Sequence, residues 1–189
     1  MSVSKLLSRI VAPDIPKEAL NDGAYQEMLL HDHTYGITSD PLTQFAVVLS
    51  ALIHDVDHRG VPNFILVKED EHLGKQYENK SVAEQNSVDL AWNTLMRPEF
   101  SELRSCIFAD LTELKRFRAL LINSVIATDI FDKEQGTMRK NRWAKAFSES
   151  VKETGRQDQN RKATIVIEHL IQASDVAHTM QHWHVYQKW

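Results

Sequence analysis

SALIHDVDHRGVPN, residues 50–63, places a cluster of ionisable side chains at the end of the apolar run FAVVLSALI. Two histidines and two aspartates fall within five consecutive positions, as His54, Asp55, Asp57 and His58. Charged groups at the edge of an apolar core cost free energy unless they are paired or bound to a metal ion. The stretch therefore predicts one half of a metal site.

The composition indicates one soluble domain. The chain has 189 residues, of which 42% are hydrophobic and 25% are charged, and its net charge is −4. This length is enough for a single sizeable core. Acidic and basic residues are interspersed, which argues against a dedicated nucleic-acid-binding protein.

The chain carries no sign of membrane insertion or secretion. No apolar run approaches the roughly 18 residues that a transmembrane helix needs, and the N-terminal segment is too polar for a secretory signal. The single cysteine, Cys106, cannot form an internal disulfide, which favours a reducing compartment. We therefore expect a cytoplasmic location, with the cytosolic domain of a larger membrane protein as the alternative.

Apolar residues recur at helical spacing along most of the chain, so we expect an all-α fold. The predicted helices cover residues 4–11, 17–30, 42–53, 81–97, 112–130, 141–152 and 162–177. Asp40 before Pro41 is a typical helix start, and Ser81 with Glu84 matches a capping box. The helix over 42–53 is apolar on nearly every side and is predicted to be buried. Segments 31–41 and 153–160 are predicted loops.

Asp175 is the best candidate for the other half of the metal site. It lies in the apolar helix 162–177, where an unpaired carboxylate would be costly. Small residues flank it and leave room for close approach: Ala173, Ser174 and Ala177. Imidazole nitrogen suits zinc, and carboxylate oxygen accepts harder ions and can bridge two of them. A salt bridge between Asp175 and an arginine explains the carboxylate equally well.

Four ordered segments resemble motifs of the class I cyclic nucleotide phosphodiesterases. They are ALIHDVDHRGVPN (51–63), YENKSVAE (77–84), VIATDI (125–130) and ASDVAH (173–178). Those enzymes belong to the His-Asp metal phosphohydrolases, and the match in order and spacing extends over essentially the whole chain. The resemblance implies a compact multi-helix domain of this type. It also implies hydrolysis of the 3′ phosphoester bond of cyclic AMP or cyclic GMP, which yields the 5′-nucleoside monophosphate.

The resemblance implies two divalent ions at the site. His54, Asp55 and Asp175 match the ligands of a tightly held zinc ion. Asp55 would also bridge to a second ion, magnesium or manganese. In the family these ions activate a water and offset charge on the phosphoryl oxygens, while a histidine acid protonates the leaving oxygen.

His58, Glu84 and Thr128 match family residues that hold the water shell of the second ion. Structural alternatives exist for each of them. His58 can act as a histidine at the edge of the core, Glu84 as the acid of a capping box, and Thr128 as a hydroxyl that bonds back within its own helix. Asp129 is better explained by a structural role than by metal ligation.

Several positions depart from the family pattern. Two family histidines after the acidic motif are Asn86 and Ser87 here, and a later one is Lys133. The family Asn-Pro after the late aspartate is replaced by His178 and Thr179. These changes bear on nucleotide contacts more than on the metal centre.

The resemblance also predicts a domain that is incomplete at both ends. In the family, a Tyr-His-Asn segment with a second histidine supplies the general acid and a further metal ligand. That segment precedes the family stretch that MSVSKLL (1–7) resembles. HWHVYQKW (182–189) resembles the segment before the helices that select the purine. We therefore expect residues 1–189 to form one partial catalytic domain of a longer parent with regulatory or cyclase domains. Alone it should have little or no activity. His31 and His33 lie in a predicted loop and are not expected to replace the missing histidines.

Two other functions fit the same sequence. One is a non-catalytic relative that keeps the helical scaffold to bind a nucleotide or a partner protein. The other is a different nucleotide phosphohydrolase of the same superfamily. The sequence HDVDHRGVPN argues against it, because generic members of the superfamily need only the His-Asp pair. The preference between cyclic AMP and cyclic GMP is left open.

Overall fold

The computed structural model describes residues 2–7, 22–148, 156–180 and 182–188. Within these ranges all regular structure is helical and no strand forms, which confirms the predicted fold class. Short 3-10 turns lie at Pro98–Phe100 and Val176–Thr179. The α-helices are α1 Ser2–Leu7, α2 Gly23–His33, α3 Pro41–Ile53, α4 Asn63–Glu69, α5 Glu71–Gln76, α6 Val82–Leu95, α7 Ser101–Ile107, α8 Leu111–Ile126, α9 Lys133–Phe147, α10 Arg156–Asp175 and α11 Trp183–Tyr186.

The main core lies between α3, α6 and α8. Its buried members are Ala46, Ile53, Val88, Phe117, Leu121 and Val125. The Phe117 ring is fully buried, and its centroid lies 5.9 Å from the ring of Phe45 and 5.9 Å from that of Phe108. Burial of aromatic and aliphatic surface of this kind is the main favourable contribution to folding.

A second core joins α3 to α10. Val3 from α1, Val47 from α3 and Ile167 from α10 are all buried in it, together with Ile37. Two residues of α3 thus pack on different helices: Ile53 on α6 and α8, and Val47 on α1 and α10. Because α3 packs on α10 through this core, the residues that follow the end of α3 come close to the end of α10.

The prediction that α3 is buried on nearly every side is wrong. Val47 and Ser50 are fully buried, but Leu52 is 76% exposed and Phe45 is 43% exposed. The helices α6, α8 and α10 cover only part of the circumference of α3, so an apolar face is left exposed. Exposed apolar residues of this kind are common in folded proteins.

Aspartates at helix N-termini set several boundaries. Asp40 accepts hydrogen bonds from the main-chain N–H groups of Leu42 and Thr43, at 3.2 and 3.4 Å, which confirms the predicted start of α3. The carboxylate also pairs with Arg116 of α8. Asp132 caps α9 by accepting from the N–H of Gln135 at 3.0 Å, so this helix starts at Lys133 instead of at residue 141.

Other predicted boundaries shift as well. The helix predicted over 112–130 ends at Ile126, and α2 continues to His33 through part of a predicted loop. The predicted helix 162–177 is a helix, and it begins earlier, at Arg156. The predicted starts and ends that fall on residues 8–21 and 149–155 lie outside the described residues. No helix in the described part of the chain combines the length and the apolar character that crossing a bilayer requires.

Candidate metal centre

His54 joins the two halves of the predicted site. It follows α3 directly, and its Nε2 lies 3.2 Å from Asp55 Oδ2 and 3.2 Å from Asp175 Oδ1. The contact with Asp175 spans 121 positions of sequence. The other ring nitrogen, Nδ1, lies 3.0 Å from the carbonyl oxygen of Ala51, so a proton on Nδ1 has an acceptor. That hydrogen bond orients the ring with Nε2 towards the two carboxylates.

Two separations between donor atoms at this point match those between the ligands of a zinc ion. Two ligands of a tetrahedral zinc ion, each about 2.0–2.1 Å from it, lie roughly 3.3 Å apart. The separation of Nε2 from each carboxylate oxygen is 3.2 Å. As the side chains stand, however, no group of three or more His, Cys, Asp or Glu residues in the described part of the chain is arranged to hold a metal ion. The imidazole and the carboxylates contact one another directly.

A small cavity of about 150 Å³ opens beside His54. Thr128 and Asp175 also line it, together with apolar and small side chains from α1, α3 and α10. The Thr128 hydroxyl donates to the carbonyl oxygen of Val125 at 2.7 Å. This is the hydrogen bond to a preceding carbonyl that the structural explanation of Thr128 predicts. The structure therefore brings three of the predicted site residues to one cavity.

His58 does not line this cavity and is exposed. Its Nδ1 accepts a hydrogen bond from the N–H of Gly60 at 3.0 Å, so the ring is held by its own loop. Asp57, just before it, has a left-handed backbone with φ of 60°. This conformation is uncommon for a residue with a side chain and indicates a loop held in place by its surroundings.

Two of the three residues that stand in place of family histidines hold this loop. Asn86 Nδ2 donates to Asp57 Oδ2 at 3.2 Å. The fully buried Ser87 hydroxyl has two carbonyl acceptors within reach of its single proton, that of Val56 at 2.7 Å and that of Ala83 at 3.0 Å. These positions therefore fix the loop after α3 to helix α6.

The capping box predicted from Ser81 and Glu84 does not form. Ser81 has a left-handed backbone, makes no side-chain cap, and donates from its hydroxyl to Asp129 Oδ2 at 2.8 Å. Glu84 Oε2 accepts from Asn63 Nδ2 at 2.8 Å. Hydrogen bonds to distant parts of the chain replace the local cap, because both side chains face a partly buried polar cluster.

Asn63 links the members of this cluster. Its Nδ2 donates to Glu84 and, at 3.1 Å, to Asp129 Oδ2, while its Oδ1 accepts from the N–H of Ala83 at 2.9 Å. Asp129 is 5% exposed and also accepts from the N–H groups of Phe131 and Asp132 at 3.2 and 3.3 Å. These contacts agree with a structural role for Asp129. No linking role was predicted for Asn63, although it is the polar residue that ends the stretch over 50–63.

The electrostatic environment of Glu84 favours its neutral form. Burial raises the pKa of the Glu84 carboxyl above its ordinary value, and the nearby Asp129 carboxylate raises it further. The hydrogen bond from Asn63 and the charge of His58 act in the opposite direction without cancelling the effect of burial. His58 is thus close enough to Glu84 to act on its charge, which relates the two predicted site residues.

Replacing Glu84 by glutamine is expected to stabilise the metal-free protein at pH 7. The folded pKa lies above the unfolded value, so the folded state binds the proton more tightly and loses stability as the pH rises through the folded pKa. Glutamine mimics the neutral acid and removes this loss, so the gain should be present at pH 7 and absent at pH 4. Urea unfolding with chelator at both pH values measures it.

Glu102→Gln, on the exposed side of α7, is the control and should change stability little at either pH. A gain for Glu84→Gln that is equally large at pH 4 would contradict the electrostatic explanation.

His31 and His33 lie away from the site. They end α2, and His31 Nδ1 lies 2.5 Å from the hydroxyl of Ser39 in the turn before α3. Neither histidine lines the cavity beside His54.

Known proteins resemble the chain along most of its length. The family model for 3′,5′-cyclic nucleotide phosphodiesterases matches residues 25–189. The cGMP-inhibited 3′,5′-cyclic phosphodiesterase 3A of Homo sapiens is 35% identical over 108 residues, which are 51% of this chain and 9% of that protein. The dual specificity calcium/calmodulin-dependent 3′,5′-cyclic nucleotide phosphodiesterase 1B of Bos taurus is 25% identical over 146 residues, 76% of this chain and 24% of that protein. The chain thus matches a quarter or less of each relative.

Solved structures show the same fold. The phosphodiesterase domain of the Salpingoeca rosetta rhodopsin phosphodiesterase aligns with all of this chain and 56% of that domain, with a TM-score of 0.61 at 21% identity. LmjPDEB1, solved in complex with IBMX, aligns with 80% of this chain and 44% of its own, with a TM-score of 0.57 at 25% identity. At this identity the likeness to the Salpingoeca rosetta domain bears on the fold alone.

Proposed function

The chain belongs to the 3′,5′-cyclic nucleotide phosphodiesterase family, and on this premise we propose that the site where α3 and α10 end hydrolyses the 3′ phosphoester bond of cyclic AMP or cyclic GMP. The contact of His54 Nε2 with both Asp55 and Asp175 is the observation that carries the proposal. It unites a nitrogen and two carboxylates from distant parts of the chain beside a cavity. The products are 5′-nucleoside monophosphates.

His54, Asp55 and Asp175 would hold a zinc ion, and Asp55 would also face a second ion, magnesium or manganese. When bound, such ions activate water and offset the negative charge on phosphoryl oxygens. The hydrogen bond of His54 Nδ1 with Ala51 supports the proposal because it keeps Nε2 directed at the carboxylates. Mixed nitrogen and oxygen ligands are among those that zinc accepts in catalytic sites.

Glu84, His58 and Thr128 would order water around the second ion. Glu84 is held by Asn63, and burial keeps its pKa raised, so it is suited to hold and release a proton. Thr128 lies at the wall of the cavity. A cyclic nucleotide substrate and the lone Cys106 are consistent with a cytoplasmic location.

A turnover assay with purified protein, zinc and either magnesium or manganese tests this function. We expect formation of 5′-AMP from cyclic AMP or of 5′-GMP from cyclic GMP. Asp55→Asn should lower the rate by at least about 100-fold, since loss of a charged bridging ligand affects both ions. Separation of the nucleotides by liquid chromatography gives the rates.

Asp32→Asn, on the exposed end of α2, is the matched control and should leave the rate unchanged. Turnover that persists in Asp55→Asn would contradict the assigned site. Wild-type protein that binds metal but shows no turnover above a chelated sample would instead favour a scaffold that binds a nucleotide or a partner.

A further inference from the structure

One buried side chain holds both main-chain carbonyls that flank Thr128. Arg139 of α9 donates from Nη1 to the carbonyl oxygen of Ala127 at 2.6 Å and from Nη2 to that of Asp129 at 2.9 Å. Its Nε donates to the carbonyl oxygen of Gln135, within α9, at 3.4 Å. Arg139 is 8% exposed, and all three of these acceptors are main-chain carbonyls. The guanidinium is thus buried against the backbone of residues 127–129.

Burying a guanidinium costs free energy unless its N–H donors find well-placed acceptors. A guanidinium taken out of water loses hydration that neutral carbonyls replace only when its planar donors are well placed. Here the two terminal nitrogens bind carbonyls two residues apart, a distance that the rigid fork of arginine spans. A lysine ammonium is a compact point charge on a flexible stem and does not reproduce this planar fork.

The same backbone segment is tied to the helix that carries Asp175. Gln172 of α10 donates from Nε2 to the carbonyl oxygen of Ala127 at 2.7 Å, so this carbonyl accepts from both α9 and α10. Gln172 lies one helical turn before Asp175. The side chain of Asp129 is held separately by Asn63 and Ser81. Thr128 is therefore the centre of a segment fixed from several helices, and this residue lines the cavity beside His54.

We propose that Arg139 is a positioning residue of the metal centre. By holding the carbonyls on either side of Thr128, it fixes the Thr128 hydroxyl at the cavity wall and thereby sets the affinity of the site for the second divalent ion. This inference rests on the proposed function for its effect on metal binding. The fixing of residues 127–129 itself is a property of the metal-free chain.

The space around Arg139 allows a chemical rescue. Its side chain lines an open cavity of about 440 Å³ between α8, α9 and α10. In Arg139→Ala the volume of the lost side chain joins this cavity, so a free guanidinium ion can reach the two carbonyls from solvent. A purely structural loss of packing would not be restored by guanidinium at millimolar concentrations, which are far below those that unfold proteins.

The experiment compares Arg139→Ala with Arg104→Ala in the full chain. Arg104 of α7 also donates to two main-chain carbonyls, those of Leu95 at 2.8 Å and Arg97 at 2.6 Å, but it does not line the cavity beside His54. Amide hydrogen exchange over residues 127–130 is measured without metal, with and without guanidinium. Manganese affinity is measured in zinc-loaded protein from the loss of the free Mn²⁺ resonance signal.

Arg139→Ala should exchange at least about 10-fold faster over residues 127–130 and bind manganese about 10- to 100-fold more weakly, the range found for residues behind metal ligands. Guanidinium should restore both, and Arg104→Ala should change neither. Unchanged exchange in Arg139→Ala would overturn the proposal. If Arg139→Ala exchanges faster but the wild-type protein binds no manganese, Arg139 still fixes Thr128. That outcome would count against the proposed function and not against the role of Arg139 in fixing residues 127–129.

Discussion

Alanine at His54 or at Asp175 is expected to weaken zinc binding by at least about 100-fold, because each change removes one of the three proposed ligands. Residues that only support metal ligands already contribute about 10- to 100-fold to affinity, so loss of a ligand should cost more. The His54 change removes the nitrogen that lies 3.2 Å from each carboxylate. Zinc affinity is measured by competition with a chromophoric chelator, and zinc content by elemental analysis.

His33→Ala is the matched control. His33 is an exposed histidine at the end of α2, remote from the cavity, so zinc affinity should not change. Circular dichroism of the metal-free variants should match that of wild type, because His54 and Asp175 are both partly exposed and their removal opens no core cavity. If wild type, His54→Ala and Asp175→Ala hold the same small amount of zinc, no zinc site exists at this position.

Asp129→Ala is expected to lower the free energy of unfolding by about 3–5 kcal/mol, the largest loss that we expect from a residue near the site. Its carboxylate accepts from Asn63, Ser81 and the N–H groups of two residues that follow it. Without it these donors lose their acceptor, and each buried donor left unsatisfied costs roughly 1–3 kcal/mol. Partial access of water to the altered site limits the sum. Urea unfolding at pH 7 measures the change.

Asp132→Ala gives the comparison for a single cap. Asp132 accepts from the N–H of Gln135 at the start of α9, and loss of such a cap costs about 1 kcal/mol. If Asp129→Ala costs no more than Asp132→Ala, the buried network around Asp129 contributes little to stability. That result would contradict the structural role of Asp129.

The helices and several of their starts could be predicted from sequence because they depend on local physics. Apolar spacing places α3, α6, α8 and α10, and the aspartate at 40 is a cap whose hydrogen bonds span only two or three residues. Local reasoning failed where distant groups compete. Ser81 and Glu84 match a capping box, yet their side chains bond Asp129 and Asn63. These partners come from elements that the sequence does not place next to α6.

By itself the sequence determined the helical class through its apolar spacing and the residue types of a candidate metal centre through the cluster at 54–58. The family was indicated by the resemblance of four ordered motifs to those of known enzymes. Only the tertiary structure decided that His54 contacts Asp175 across 121 positions and that Arg139 donates to the main-chain carbonyls on either side of Thr128. Both contacts depend on how α3, α9 and α10 pack. Packing is decided by the sum of many weak apolar contacts between helices, and no short stretch of sequence contains that sum.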